Sequence, residues 1–246
     1  MTNFVPLKNA SLRVMDELIG AHGIQGPFLD AGCGRGDVSE HLAKMGWEGT
    51  AADSSPDAVN VAKDALKNYP SVRVETGDLM KITGSFRTIV STSVIEHVRD
   101  DVGLLRHFRG CFLPQGGWLI LVVPTNPTRE WRWDDAYYGH YRRYDKLGLQ
   151  RLLSECGFAM LDFCDYTFPV FWAMRRAYTR FLPPKAPLSA IPEENTAASS
   201  LQSAWDMGLL SRVVAALPVW PAVAAMQKPF RHGSRGFEAV VVAATK

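Results

Sequence analysis

Three groups of residues in this chain have the types and spacing to do chemistry. The first is a glycine turn, Asp30-Ala31-Gly32-Cys33-Gly34-Arg35-Gly36, which leaves the apolar stretch Phe28-Leu29. Glycines at alternate positions allow positive φ and close approach of the backbone to a ligand, and a helix starting at Asp37 would present free amide donors there. The second group is Asp53 and Asp78, acidic residues at or just beyond the ends of later apolar runs. The third joins imidazoles to a carboxylate: Ile95-Glu96-His97-Val98 and Gly139-His140-Tyr141-Arg142-Arg143-Tyr144. Imidazole changes charge near neutral pH, which suits it to proton transfer, and a guanidinium suits an anionic substrate group.

The spacing of the turn selects among ligands. A dinucleotide fingerprint reads G-x-G-x-x-G, whereas here the pattern is G-x-G-x-G and Asp37 follows Gly36. Asp30 would place negative charge beside a pyrophosphate, but it suits a ligand carrying an ammonium and a sulfonium. Asp53 is placed to accept hydrogen bonds from both ribose hydroxyls, and Asp78 to receive an adenine amino group. Three carboxylates at successive strand ends fit a nucleoside without phosphates, because open α/β sheets bind ligands at those ends.

The elements that must position these residues are legible as alternating apolar runs and helical segments. Strands are expected at Pro27 to Ala31, Gly49 to Asp53, Val72 to Thr76, Thr88 to Thr92 and Gly117 to Val123. A sixth is expected at Phe158 to Phe163 and a last at Phe237 to Ala244. Helices are expected over Asp37 to Met45, from Pro56 to near Asn68 with Ser55 as N-cap, and over Lys146 to Cys156, closed by Gly157. The stretch from Pro124 to Tyr144 reads as a loop, with Trp131 to Asp135 as a lid over an organic acceptor.

Between the last two strands lies an insertion, 166–236. In it Phe171, Met174, Tyr178 and Phe181 recur at helical spacing beside Arg175, Arg176 and Arg180, and Pro183 ends the pattern. Pro183 to Ser200 reads as a flexible loop, and Ser203 to Met226 as a helical pattern broken by prolines. The expectation is one α/β domain, 1–246, built on a doubly wound, mostly parallel sheet, with the insertion as a helical cap.

Composition narrows the setting. The 246 residues are 47% hydrophobic and 21% charged, as in a soluble globular protein. A formal charge of +2 lacks the electrostatic footprint of a dedicated nucleic-acid binder. Asn126-Pro127-Thr128 lacks the second proline and the aromatic that would stack a flipped base. The four cysteines form no C-x-x-C pair, so neither a disulfide framework nor a zinc site is indicated and a reducing cytoplasm is expected. The N-terminus lacks a secretory pattern, and Val213 to Met226 is too short and too rich in proline to span a bilayer.

On the glycine turn, Asp53, Asp78 and the Ser91 to Val98 segment, the chain resembles class I S-adenosylmethionine (SAM) dependent methyltransferases over about Phe28 to Phe163. The resemblance implies a seven-stranded sheet whose last, antiparallel strand lies beside the fifth. It implies SAM as cofactor, with Gly32 and Gly34 at the methionine part, Asp53 at the ribose, Asp78 and Leu79 at the adenine, Thr92 at the methionine end, and Ser54 in the same set. Asp30 joins this cofactor set.

Ile95 to Val98 resembles the segment after the fourth strand in ubiquinone-type O-methyltransferases, where a carboxylate and a histidine lie near the acceptor. Those enzymes carry another Glu three residues earlier; here it is Ser93, so no metal is expected. Gly139 to Tyr144 resembles the G-H-x-R-R-Y segment of a bacterial group often thought to act on sugars, lipids or polyketides. The implied reaction is methylation of a hydroxyl on a small or lipid-linked acceptor, with His140 as base, Glu96 or His97 assisting, and Arg142 or Arg143 on an anionic group. The insertion is expected to set specificity and to cover a hydrophobic acceptor or touch a membrane surface. An amine acceptor, a non-catalytic SAM-binding module and a nucleotide-dependent oxidoreductase are the alternatives.

Overall fold

The computed structural model describes residues 5–112, 116–182, 189, 191–199, 213 and 216–246. Seven strands form one sheet: β1 Phe28–Ala31, β2 Gly49–Asp53, β3 Val72–Thr76, β4 Thr88–Thr92, β5 Trp118–Pro124, β6 Phe158–Asp165 and β7 Glu238–Thr245. Their order is β3-β2-β1-β4-β5-β7-β6. β7 is antiparallel to both neighbours, and the remaining pairs are parallel. The strand order reverses beside β1, so β1 and β4 diverge at their carboxyl ends and leave a crevice there.

The doubly wound form follows from the strands' side chains. Along β5, Ile120 and Val122 enter one core while Leu119, Leu121 and Val123 enter the other. β7 divides in the same way, with Val240 and Val242 against Ala239, Val241 and Ala243. Period-two alternation of uniformly apolar residues requires cover on both faces. Helices α1 Val5–His22, α2 Asp37–Lys44 and α3 Pro56–Leu66 cover the first face, and α4 Asp101–Gly110 and α7 Lys146–Glu155 the second. Phe108 of α4 has no exposed surface. Phe108→Ala is expected to lower unfolding stability by about 3–5 kcal/mol, read by denaturant titration, because the void collapses only in part.

Local chemistry fixes the helix starts. Ser55 Oγ accepts from Ala58 N at 3.3 Å and Pro56 takes the first helical position of α3. Asp145 caps α7 by accepting from Gly148 N at 2.8 Å. The N-terminal helix α1, which no sequence signal above marked, packs Val14, Met15 and Ile19 into the first core.

Three segments depart from the sequence reading. Pro124 to Tyr144 is not an open loop: it contains short helices α5 Pro127–Glu130 and α6 Trp133–Tyr138. Part of the supposed flexible tract is helix α9 Pro192–Ser199, seated on α6; most of the rest of that tract, and residues 203–212 of the following one, lie outside the described residues. The third departure is in α8 Val170–Phe181, where Phe171 and Tyr178 are buried as expected but Phe181 is 78% exposed. Arg175, one of the arginines beside that apolar stripe, is buried among carboxylates. Among the described residues no helix is long and apolar enough to cross a membrane, and all four cysteines are free and buried.

Candidate active site

At the carboxyl ends of β1, β2 and β4 the chain leaves a cavity of about 1190 Å³, closed in part by Leu7, Ser11 and Met15 of α1. Gly32, Gly34, Asp53, Ser54, Asp78, Leu79 and Thr92 all line it. The glycine turn has φ of 82° at Gly32, 52° at Gly34 and 82° at Gly36, the left-handed conformation that glycine adopts without penalty. A Cβ on Gly32 would stand 2.3 Å from Val94 Cγ2, whereas one on Gly34 would meet no atom within 4 Å. Asp53 locks the turn, since its Oδ2 accepts from Gly34 N at 2.9 Å and its Oδ1 from Ser55 N at 2.8 Å. Asp78 Oδ1 accepts from Met80 N at 2.9 Å and caps the short 3₁₀ turn Leu79–Lys81.

Asp30 is the exception in this set. It is fully buried beneath the turn, away from the cavity wall, and accepts from Ser39 Oγ at 2.6 Å. Its Oδ1 has no partner, and burial pushes its carboxyl up to about 7.

The two imidazole segments, far apart in sequence, meet in the same cavity. Tyr141 N donates to Glu96 O at 2.8 Å, and the rings of His97 and His140 lie edge to face at 4.7 Å. Ser93, with φ of 53°, turns the chain sharply out of β4 into the 3₁₀ turn Ile95–His97. Glu96 is 1% exposed and both of its carboxylate oxygens lack a partner. Its Oε1 lies 4.0 Å from His97 Nε2.

Hydrogen bonding fixes both tautomers. His140 Nδ1 lies 2.9 Å from Asp135 Oδ1, and an ionised carboxylate only accepts, so Nδ1 carries a proton and, in the neutral ring, Nε2 the lone pair. His97 Nδ1 lies 3.1 Å from Thr196 Oγ1. The single hydroxyl proton of Thr196 is drawn to the carbonyls of Pro192 and Tyr138, at 3.1 and 3.2 Å, so Thr196 accepts from His97. Glu96, His97 and His140 therefore converge, each with one side-chain N or O atom within 4.8 Å of the others'.

That convergence shifts the titrations. Burial pushes Glu96 up to about 8, with the charge of Glu238 adding to it, so that at neutral pH Glu96 is a neutral acid. Burial and the neighbouring His140 hold His97 down at about 3. A carboxyl raised on folding binds its proton more tightly in the native state. Its contribution is therefore present below the unfolded value near 4.5 and is lost as pH rises towards 8. Glu96→Gln removes that loss: its melting temperature should exceed the wild type's at pH 8 and the gap should close by pH 5. A constant gap would show that Glu96 does not titrate in this range.

Residues 9–162 match a family described as a methyltransferase domain. The chain belongs to this methyltransferase family. It is 36% identical over 131 residues to the ubiquinone biosynthesis O-methyltransferase of Xanthomonas euvesicatoria, covering 51% of this chain and 52% of that protein. The match thus spans about half the length of that relative. Among solved structures, the magnesium protoporphyrin IX methyltransferase of Synechocystis with S-adenosylhomocysteine (SAH) bound superposes with a TM-score of 0.56 at 14% identity, covering 100% of this chain and 89% of that one. The 1,6-didemethyltoxoflavin-N1-methyltransferase of Burkholderia thailandensis gives 0.56 at 15% identity, covering 98% and 78%. At such identities these structures share the fold.

In this methyltransferase both arginines after His140 are engaged by protein groups, although Arg143 also lines the cavity. Arg143 is buried, with Nε on Asp135 Oδ1 at 2.7 Å and Nη1 on the carbonyls of Thr125 and Phe237 at 2.6 and 2.9 Å. Arg142 pairs with Asp101 at 2.5 Å and donates to Arg99 O at 2.7 Å, off the cavity wall. The supposed lid is likewise pinned: Trp133 Nε1 donates to Thr179 O at 2.9 Å, and Asp134 and Asp135 are buried.

Three residues at the site were not singled out from sequence. Asp135 lies five residues before His140, across the left-handed cap at Gly139, so no helical spacing links the two. Glu238 is an acidic residue opening an otherwise apolar strand and lines the cavity. Thr196 carried no signal, because its tract reads as low-complexity loop.

Proposed function

We propose that the protein transfers the methyl group of SAM to a hydroxyl of a small organic or lipid-linked acceptor. The observation that carries this reading is the pair of imidazole nitrogens, His140 Nε2 and His97 Nε2, held with free lone pairs in the cavity that also holds the glycine turn. Gly32, Gly34 and Thr92 would hold the methionine part of SAM, Asp53 and Ser54 its ribose, and Asp78 and Leu79 its adenine. Asp30 acts from beneath, through the turn it supports. Bound there, SAM would supply an electrophilic methyl group to the acceptor oxygen with SAH as the leaving group, and His140 Nε2 takes the hydroxyl proton. Glu96 and His97 stand beside it and complete the polar wall.

The same cluster supports a second reading. Glu96, His97 and His140 offer one carboxylate and two imidazoles, a donor set that suits a divalent metal even though Ser93 stands where the resembling enzymes have a Glu. A cation held there would supply Lewis-acid acidification of the hydroxyl. Relatives named O-methyltransferases favour a hydroxyl acceptor over an amine. The exposed Phe181 and Leu182 beside Arg180 suit a lipid-linked one.

The test is SAH release from SAM with a panel of phenols, sugars and polyprenyl-linked alcohols, run with and without chelator. Turnover on hydroxyl acceptors that chelator leaves intact supports His140 as the base. Turnover lost to chelator and restored by a divalent cation assigns the step to the metal. Methylation of amines alone would sink the hydroxyl assignment.

A further inference from the structure

Both imidazoles are held from outside the central sheet, and the holding groups come from the insertion or are fastened by it. Asp135 Oδ1 accepts from His140 Nδ1 at 2.9 Å and Arg143 Nε at 2.7 Å, while Oδ2 accepts from Arg175 Nη2 at 2.9 Å and Arg132 N at 2.8 Å. Four donors from four residues saturate this carboxylate, which is 1% exposed. It cannot rotate without leaving a buried polar group unpaired. Burial alone would raise Asp135, but the His140 hydrogen bond and the charges of Arg143 and Arg175 outweigh it and hold the carboxyl well below the usual range.

Arg175 belongs to α8 of the insertion. It forks onto Asp134, with Nε to Oδ2 at 2.8 Å and Nη2 to Oδ1 at 2.6 Å, and donates to Glu130 O at 2.9 Å. Its neighbours fasten the same helix: Trp172 Nε1 donates to Glu130 Oε1 at 2.9 Å, and Arg176 Nη2 reaches the same oxygen at 2.7 Å. The second imidazole depends on the insertion directly, because Thr196 of α9 accepts from His97 Nδ1. Gly139 makes this contact possible; a Cβ there would lie 2.1 Å from Pro192 O.

We propose that the insertion is a positioning element of the reaction: Arg175 through Asp135 sets the orientation and tautomer of His140, and Thr196 sets those of His97. The inference rests on the reading of His140 as the base. Asp135 is the central positioning residue. With the insertion docked, both Nε2 lone pairs face the acceptor; with α8 displaced, Asp135 loses one of its two guanidinium partners and His140 its fixed support.

Imidazole nitrogen NMR on the wild type, Asp135→Asn, Arg175→Met and Thr196→Val tests this, with kcat, KM and SAH affinity measured on each. The wild type should show both histidines protonated at Nδ1 and bare at Nε2. An Asn side chain has one acceptor oxygen where four donors converge, so in Asp135→Asn the Nε2-protonated form of His140 should gain population. Its kcat should fall by about 10²-fold, with SAH affinity unchanged. Arg175→Met should lose less in the same direction, and Thr196→Val should alter the His97 signals alone.

Wild-type His140 protonated at Nε2 would overturn the proposal, as would Asp135→Asn with wild-type kcat and tautomer. If Asp135→Asn does not fold, the wild-type spectrum and the two insertion variants decide. Inactive His140→Ala beside fully active Asp135→Asn removes only this inference, whereas active His140→Ala removes the base reading beneath it.

Discussion

His140→Ala is expected to lower turnover on a hydroxyl acceptor by about 10²–10⁴-fold, the range a positioned general base contributes. SAH affinity should stay at the wild-type level, because the residues assigned to the cofactor are on the glycine turn, on the segments that follow β2 and β3, and at the end of β4. The loss should fall on kcat, since the proton leaves as the new oxygen–carbon bond forms. Two features make His140 the stronger candidate of the two imidazoles. Its Nδ1 faces an ionised carboxylate that stabilises the imidazolium formed on accepting a proton, whereas the Nδ1 of His97 faces a neutral hydroxyl. His97 is also held down at about 3, so it does not retain a proton near neutral pH. Single-turnover kinetics with saturating SAM checks the prediction, and turnover at the wild-type rate in His140→Ala would sink the assignment.

The other large effect is expected at Asp53. Its two oxygens already hold Gly34 N and Ser55 N, and each keeps a lone pair for a ribose hydroxyl. On the proposed placement of the cofactor, Asp53→Ala removes two charge-assisted hydrogen bonds to the ribose, together with the clasp that keeps Gly34 in its left-handed turn. With about 1.5–3 kcal/mol for a hydrogen bond to a charged group, SAH affinity should weaken by about 10²-fold or more. Calorimetry with SAH measures it. The fold should survive, because Asp53 lies at the strand end, outside both cores. A folded variant that binds SAH as tightly as the wild type would show that the ribose is held elsewhere.

The cofactor end is legible in the sequence because it is local. Turn, carboxylate and N-cap each depend on residues a few positions apart, and the β1 turn and the ends of β2 and β3 are brought side by side by parallel pairing. The acceptor end is legible only in pieces. Glu96, His97 and His140 can be suspected singly, but their meeting depends on the backbone bond from Tyr141 to Glu96 and on the packing of α9 over α6. Arginines mislead for the same reason. A guanidinium beside a histidine looks like a substrate anchor until the buried carboxylates that claim it, Asp135 for Arg143 and Asp101 for Arg142, are in view.

By itself, then, the sequence determined the doubly wound sheet, the antiparallel last strand and the glycine turn with Asp53 and Asp78. Periodicity and short-range turn chemistry encode the strands, the helices and the turn within a few residues, whereas the antiparallel sense of the last strand is what the family resemblance implied. Only the tertiary structure decided that Asp30 lies beneath the turn rather than on the cavity wall, that Arg175 is buried, and that a tract resembling loose loop delivers Thr196 to His97. Those outcomes depend on which charges and hydroxyls pair across dozens of residues, and a buried pair leaves no periodic trace along the chain.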